Sequence, residues 1–241
     1  MKKCIALGLA LSFVAIANAQ WGKRIRGNGN VVTVERSVGS YDGVALAGWF
    51  DLELISGEEG EITLKGESNL LDYIKTDVKN GKLVIKAEKG VNLKPSSWKS
   101  GILVIVPIES ISEVSLSGSG DIMGRTTVKA DSFETRISGS GDVVLDIEAD
   151  SVEATMSGSG DMKLNGKASD LYVQVSGSGD INAYGLEAEN VKVTVSGSAD
   201  VEVTANQSIN ARVSGSGDIN YRGNPEKIDT KSSGSGDISR S

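Results

Sequence analysis

Seven copies of Ser-Gly-Ser-Gly-Asp, the fifth written Ser-Gly-Ser-Ala-Asp, end at Asp121, Asp142, Asp161, Asp180, Asp200, Asp218 and Asp237. Successive aspartates lie 21, 19, 19, 20, 18 and 19 residues apart. A unit this short cannot bury a core alone, so it must stack on its neighbours. A motif that returns at so regular a period marks one edge of a solenoid.

Alignment on the aspartates exposes an alternation. One residue after each stand Ile122, Val143, Met162, Ile181, Val201, Ile219 and Ile238; five before stand Leu116, Ile137, Met156, Val175, Val195, Val213 and Ser232. Seven before stand Val114, Thr135, Ala154, Val173, Val193, Ala211 and Thr230, and polar residues such as Arg136, Thr155, Gln174 and Thr194 fall between. Period two with β-branched residues means strands with one face in and one out. No unit has room for a crossover helix, so neighbouring units pair in parallel, each coil rising about 4.8 Å. The expected fold is all-β: a parallel β-helix with coils of about 19 residues, right-handed because parallel crossovers take that hand.

The repeat glycines are Gly118 and Gly120, Gly139 and Gly141, Gly158 and Gly160, Gly177 and Gly179, Gly197 with Ala199, Gly215 and Gly217, and Gly234 and Gly236. Alternation carried through the motif points these inward and the serines and aspartate outward, with a bend at the glycines. Alanine is costly at positive φ, so Ala199 implies that the second position needs a small side chain rather than a left-handed backbone. Polar pieces such as Glu148–Ser151, 166–170 and 223–227 mark a further corner. The last unit, with Thr230, Ser232, Lys227, Lys231 and Arg240, reads as a polar terminal cap.

The chain divides on this reading into a signal peptide over 1–19, a leader over 20–30, a β-rich N-terminal portion over 31–110 and the repeat β-helix over 111–241. Lys2 and Lys3, the apolar run Ile5–Ile16 and Ala17-Asn18-Ala19 compose the signal. The middle portion opens or caps the stack, a separate β-sandwich being the alternative. Its expected strands are Val31–Val34, Val44–Ile55, Glu61–Leu64, Lys82–Ala87 and Ile102–Val106, with a hairpin turn at Asn80-Gly81. Leu70–Lys75 reads as one helical turn and Lys94–Ser100 as a loop.

Cys4, the one cysteine, lies in the expected signal, and there is no histidine. Disulfides, a lipid-modified cysteine and thiolate or imidazole metal sites are therefore not expected. The formal charge of −7 becomes −9 if Lys2 and Lys3 are removed. Such acidity, with no basic stripe among aromatics, argues against nucleic acid, and no second apolar run suits membrane insertion.

Together the signal sequence, Tyr41-Asp42-Gly43-Val44 leading to Asp51-Leu52-Glu53-Leu54, the Asn80-Gly81-Lys82-Leu83 hairpin, the strand closing at Val106-Pro107 and the recurring motif resemble the bacterial auto-transporter adhesin, head GIN domain family. The resemblance implies an exported β-helical protein with an adhesin-like role and carries no catalytic residues.

Aspartates one coil apart repel by about 1 kcal/mol in water, so something must offset the charge. One reading has each carboxylate accept N–H bonds within its own turn while the serines share hydrogen bonds along the file. The sharper alternative is a calcium ladder over Asp121, Asp142, Asp161, Asp180, Asp200, Asp218 and Asp237. No cofactor is otherwise expected. Repeated identical carboxylates offer no unlike acid–base pair, so no enzyme is expected. Trp49, Phe50 and Trp98 read as core or cap packing, Lys65, Lys94 and Lys99 as a solvated face, and Asp51 as no site. The functional reading is an exported, non-catalytic, adhesin-like β-helix in the periplasm, at the cell surface or outside, binding an extended glycan or protein. A carbohydrate-active enzyme on the same fold and a self-associating structural envelope component are the alternatives.

Overall fold

The computed structural model describes residues 22–97 and 99–241. The expected signal peptide, Cys4 and Trp98 lie outside the described residues. The chain opens with β1 (Lys23–Arg26), β2 (Val31–Ser37), β3 (Gly43–Gly48), β4 (Asp51–Ser56) and β5 (Glu61–Glu67), then the helical turn α1 (Ser68–Leu71). Next come β6 (Ile74–Lys79), β7 (Lys82–Ala87), β8 (Val91–Lys94) and β9 (Leu103–Ile108). The repeats hold β10 (Glu113–Gly118), β11 (Ile122–Gly139), β12 (Val143–Gly158), β13 (Met162–Gly177), β14 (Ile181–Gly197), β15 (Val201–Gly215), β16 (Ile219–Arg222), β17 (Lys227–Gly234) and β18 (Ile238–Arg240).

Every pairing among β10 to β18 is parallel, and around the motif each coil lies in register on the one below, with register shifts at 123–127, 163–165 and 183–190. The first motif glycines stack as Gly118, Gly139, Gly158, Gly177, Gly197, Gly215 and Gly234. The result is a β-solenoid of about seven turns at roughly 19-residue spacing. Its core is a set of side-chain files: Leu116, Ile137, Met156, Val175, Val195 and Val213 are each at most 2 % exposed, as are Ile122, Val143, Met162, Ile181, Val201 and Ile219. The polar pieces expected at a further corner mostly lie within long strands. Pairing passes from Ala149↔Ala168 to Ser151↔Asp170 with one residue skipped on each side, so the strand bends without ending. In β17 every residue is exposed, consistent with its polar composition.

Apart from β1 and β8, which form a two-stranded sheet of their own, the strands before the repeats belong to the same sheet as the coils. β3 lies beneath β10, and β4 lies beneath the start of β11, both in parallel. The expected single strand Val44–Ile55 is therefore two, broken at Trp49-Phe50, because residues 43–56 wind as a coil. Below them β7 pairs with β3 and β9 with β4. Antiparallel strands then take over: β6 on β7, and β5 on β9 with β2 outside it. Asn80 (φ 52°) and Gly81 (φ 77°) make the two-residue turn of the β6–β7 hairpin, both left-handed as a type I′ turn requires. The helical turn is shorter than expected and gives way to β6 at Ile74.

The leader reading of 20–30 does not hold for its described part. β1 pairs in parallel with β8, and the chain after it is clasped by a buried carboxylate. Glu67 is 0 % exposed and accepts the Gly29 N–H at 2.6 Å and the Ser96 N–H at 2.7 Å. Asn69 adds its amide, donating to the Arg26 carbonyl and accepting from the Asn28 N–H. Glycines and asparagines without apolar periodicity look loose in sequence, yet here they supply backbone that can approach the carboxylate. A β-carbon on Gly27 would strike Glu67.

Burial pushes the Glu67 carboxyl up, but the Gly29 and Ser96 N–H groups and the Ser96 hydroxyl outweigh it, leaving its pKa below the ordinary value of 4.5. A depressed carboxylate contributes stability that is present above the unfolded pKa and is lost as pH falls through the folded one. Melting temperature should accordingly begin to drop below about pH 4.5, with Glu67→Gln melting lower at pH 7 and losing less on acidification. Equal acid losses in the two proteins would remove Glu67 from this linkage. Thr135 gives a second expectation: it is fully buried and its hydroxyl has no hydrogen-bond partner among the described residues. Replacing an unpaired buried hydroxyl with a methyl of the same shape removes a desolvation penalty, so Thr135→Val should stabilise by about 1 kcal/mol. Calorimetry should show this as a rise of roughly 2–4 °C for a chain of this size; a fall would mean that the hydroxyl is satisfied.

Candidate binding surface

At the motif the chain turns, and a parallel ladder cannot be followed unchanged through a turn. The first glycine adopts positive φ, for instance 151° at Gly158 and Gly177, where the strands end. The second glycine stays out of the left-handed region and is buried. The expectation of two inward glycines therefore holds for the second alone. The first is the bend.

In the glycine copies the second position is set by closeness rather than by φ. A β-carbon on Gly160 would strike the carbonyl oxygen of Gly141 in the coil below. Ala199, with no positive φ, carries a wholly buried methyl there, so the position is inward and small rather than left-handed.

That carbonyl, crowded against the residue above, accepts no amide hydrogen among the described residues. The aspartate side chain takes its place. The N–H of Asp142 donates to Asp121 Oδ1 at 3.0 Å, Asp161 to Asp142 at 2.9 Å, Asp180 to Asp161 at 3.1 Å and Asp200 to Asp180 at 2.9 Å. Asp218 and Asp237 continue the file at 2.8 Å each. The acceptor thus serves the neighbouring coil and not its own turn, a correction to the local-turn reading. Hydrogen bonds to a charged acceptor contribute about 1.5–3 kcal/mol, which exceeds the roughly 1 kcal/mol of repulsion between neighbouring carboxylates in water.

The backbone bonds on either side of the bend are also inter-coil. The Ser159 N–H donates to the Gly139 carbonyl and the Met162 N–H to the Asp180 carbonyl, both at 2.9 Å. The serine hydroxyls do not share bonds along the file. All motif serines are exposed, and none of their hydroxyls has a hydrogen bond among the described residues. The corner therefore presents files of uncommitted hydroxyls beside a file of carboxylates. Among the described residues no group of three or more Asp, Glu, His or Cys is placed to hold a metal ion.

Sequence reasoning missed the foot of this file. Asp121 N–H donates to Asp51 Oδ1 at 3.1 Å, and Asp51 N–H in turn finds a backbone acceptor, the Ile102 carbonyl, at 3.0 Å. Ala47-Gly48-Trp49-Phe50-Asp51 is thus an eighth, disguised copy, in which only Gly48 and Asp51 keep the motif. Phe50 is buried and meets Trp49 edge to face at 6.1 Å, which bears out the core-packing reading of both.

Beside Asp51 opens a cleft of about 460 Å³ that also receives Lys65, Lys99, Asp121, Met123 and Arg125. Two of the three lysines grouped from sequence meet here, while Lys94 stays on β8. Arg125 is held by Glu53 at 2.5 Å. Burial, reinforced by the Asp121 carboxylate, raises the Asp51 pKa, and the Asp121 N–H offsets only part of that.

Residues 40–225 match the family described as putative auto-transporter adhesin, head GIN domain. The chain belongs to this family. Solved structures agree with the solenoid of the head GIN domain. A putative adhesin from Bacteroides fragilis superposes with a TM-score of 0.83 at 21 % identity, covering 90 % of this chain and all of that one. A putative adhesin from Parabacteroides merdae gives 0.70 at 20 %, covering 91 % and 99 %. A protein from Parabacteroides distasonis described as a putative lipid binding protein gives 0.76 at 26 %, covering 91 % and 100 %. No curated protein matches this head GIN domain. Among its described residues no helix is long and apolar enough to cross a membrane.

Removing one mid-file acceptor should separate its two roles. Asp161→Ala strands the Asp180 N–H and should cost about 1.5–3 kcal/mol, whereas Asp161→Asn keeps an acceptor oxygen and should cost less. Urea denaturation of the two variants measures this, and equal losses would contradict the acceptor role. With the Oδ1 of every motif aspartate below Asp237 already engaged, addition of calcium or of a chelator should leave the melting temperature nearly unchanged; a calcium-dependent rise of many degrees would reverse that expectation.

Proposed function

We propose that the protein is an exported, non-catalytic, adhesin-like solenoid that binds an extended ligand, glycan or protein, at the cell envelope. Membership of the head GIN domain family supports the adhesin-like part. The observation that carries the reading is repetition itself: exposed serines, beside an aspartate exposed in all copies but Asp218, recur in each of the seven motif coils at the same height. A ligand lying along the column meets similar weak contacts at successive levels, and contacts so linked add as multivalency does. Below Asp237 the motif carboxylates are each spent on a neighbour's amide rather than paired as acid and base, which favours binding over hydrolysis.

The test is saturable binding of labelled full-length protein to intact bacterial and host cells, beside an acidic solenoid of unrelated sequence. Binding that saturates and exceeds the control is expected, with no new reducing ends released from polysaccharides by the same protein. Binding no better than the control, or release of reducing ends, would contradict the proposal.

A further inference from the structure

One flat side of the column is built from the two outward positions that precede each motif. Near its foot the charges are satisfied within the chain: Glu113 holds Lys82 at 2.5 Å and lies 3.8 Å from Arg136. Near its top Arg212 holds Asp229 at 2.6 Å. Between these clusters lie three successive coils carrying Glu153 and Thr155, Tyr172 and Gln174, and Lys192 and Thr194, each directly above the last. None of these six side chains makes a hydrogen bond, ion pair or ring contact with another described residue.

Tyr172 is the anomaly. The equivalent outward position is Glu113, Glu134, Glu153, Lys192, Asn210 or Asp229 in the other coils, and only this coil puts an aromatic ring there, 45 % exposed. A shallow depression of about 240 Å³ runs beside it. The ring offers a flat apolar face, while its neighbours supply an amide that both donates and accepts, two hydroxyls, a carboxylate and an ammonium. A protein hot spot would ask for a surround that excludes water, and here the surround is polar on every side. A pyranose ring, with one C–H face to stack and hydroxyls around its edge, matches both halves of the patch.

We infer that Tyr172 is the stacking platform of a carbohydrate-binding patch that takes a neutral or N-acetylated sugar unit of an extended glycan, with Gln174 as its principal hydrogen-bonding partner. The inference rests on the adhesin reading and names its ligand class and its point of contact.

The experiment applies full-length protein to an array of immobilised neutral and N-acetylated oligosaccharides, with Tyr172→Thr and Gln174→Ala in parallel and a melting curve for each. Wild type should bind at least one oligosaccharide, Tyr172→Thr should lose at least tenfold in apparent affinity and Gln174→Ala several-fold, with melting unchanged because both side chains face solvent. Undiminished binding by Tyr172→Thr, or no oligosaccharide bound by wild type, overturns the patch. Wild type that binds cells but no oligosaccharide overturns the patch and leaves the adhesin reading standing. Oligosaccharide binding without cell binding does the reverse.

Discussion

A parallel β-ladder that turns a corner must find an acceptor for every amide that the turn displaces. In this solenoid the displaced amide is that of the motif aspartate, and the aspartate one coil below answers it. Everything regular about the column follows from that exchange. In the seven motif copies the second position is small and lies close over the carbonyl of the coil below, the first must accept positive φ to make the bend, and the carboxylate must sit on a short stem to reach one coil and no further. An unpaired buried N–H costs more than a neutral hydrogen bond contributes, so the motif is repeated in every coil that turns there.

The exchange needs a starting point. Asp51 supplies it by leaning on the Ile102 carbonyl, just before β9, a strand parallel to β4 on one side and antiparallel to β5 on the other. The antiparallel strands at the foot end the parallel stack, and Glu67 binds the chain at 27–30 to that end. The upper coils can then be near copies of one another, with their outward side chains left over for contact with other molecules. The Tyr172 coil is one that departs from its neighbours in what it shows to solvent.

The solenoid was legible because its signals are periodic. Alternation around the aspartates predicts the inward files residue by residue, since a period of two leaves few choices about which side chain is buried. The N-terminal strands were legible where they are apolar and β-branched, and the Asn80-Gly81 turn because only a few residues tolerate two left-handed positions. What stayed hidden lacked a local signature. Asp51 sits 70 residues before the next rung, Phe50 occupies a glycine's place, and the chain after β1 is held by a glutamate 38 residues away. The carboxylates' partners were hidden for a related reason. A composition of Ser, Gly and Asp suits a local turn as well as a bond between coils, and only register separates the two.

The central claim is that the aspartate amides are ladder amides, closed by the carboxylate below. Native-state hydrogen exchange reads this directly. The amides of Asp161, Asp180 and Asp200 should exchange as slowly as those of Val173 and Val193 in the core strands, opening only with the column as a whole. Exchange at the rate of an exposed loop, with the core amides still protected, would contradict it.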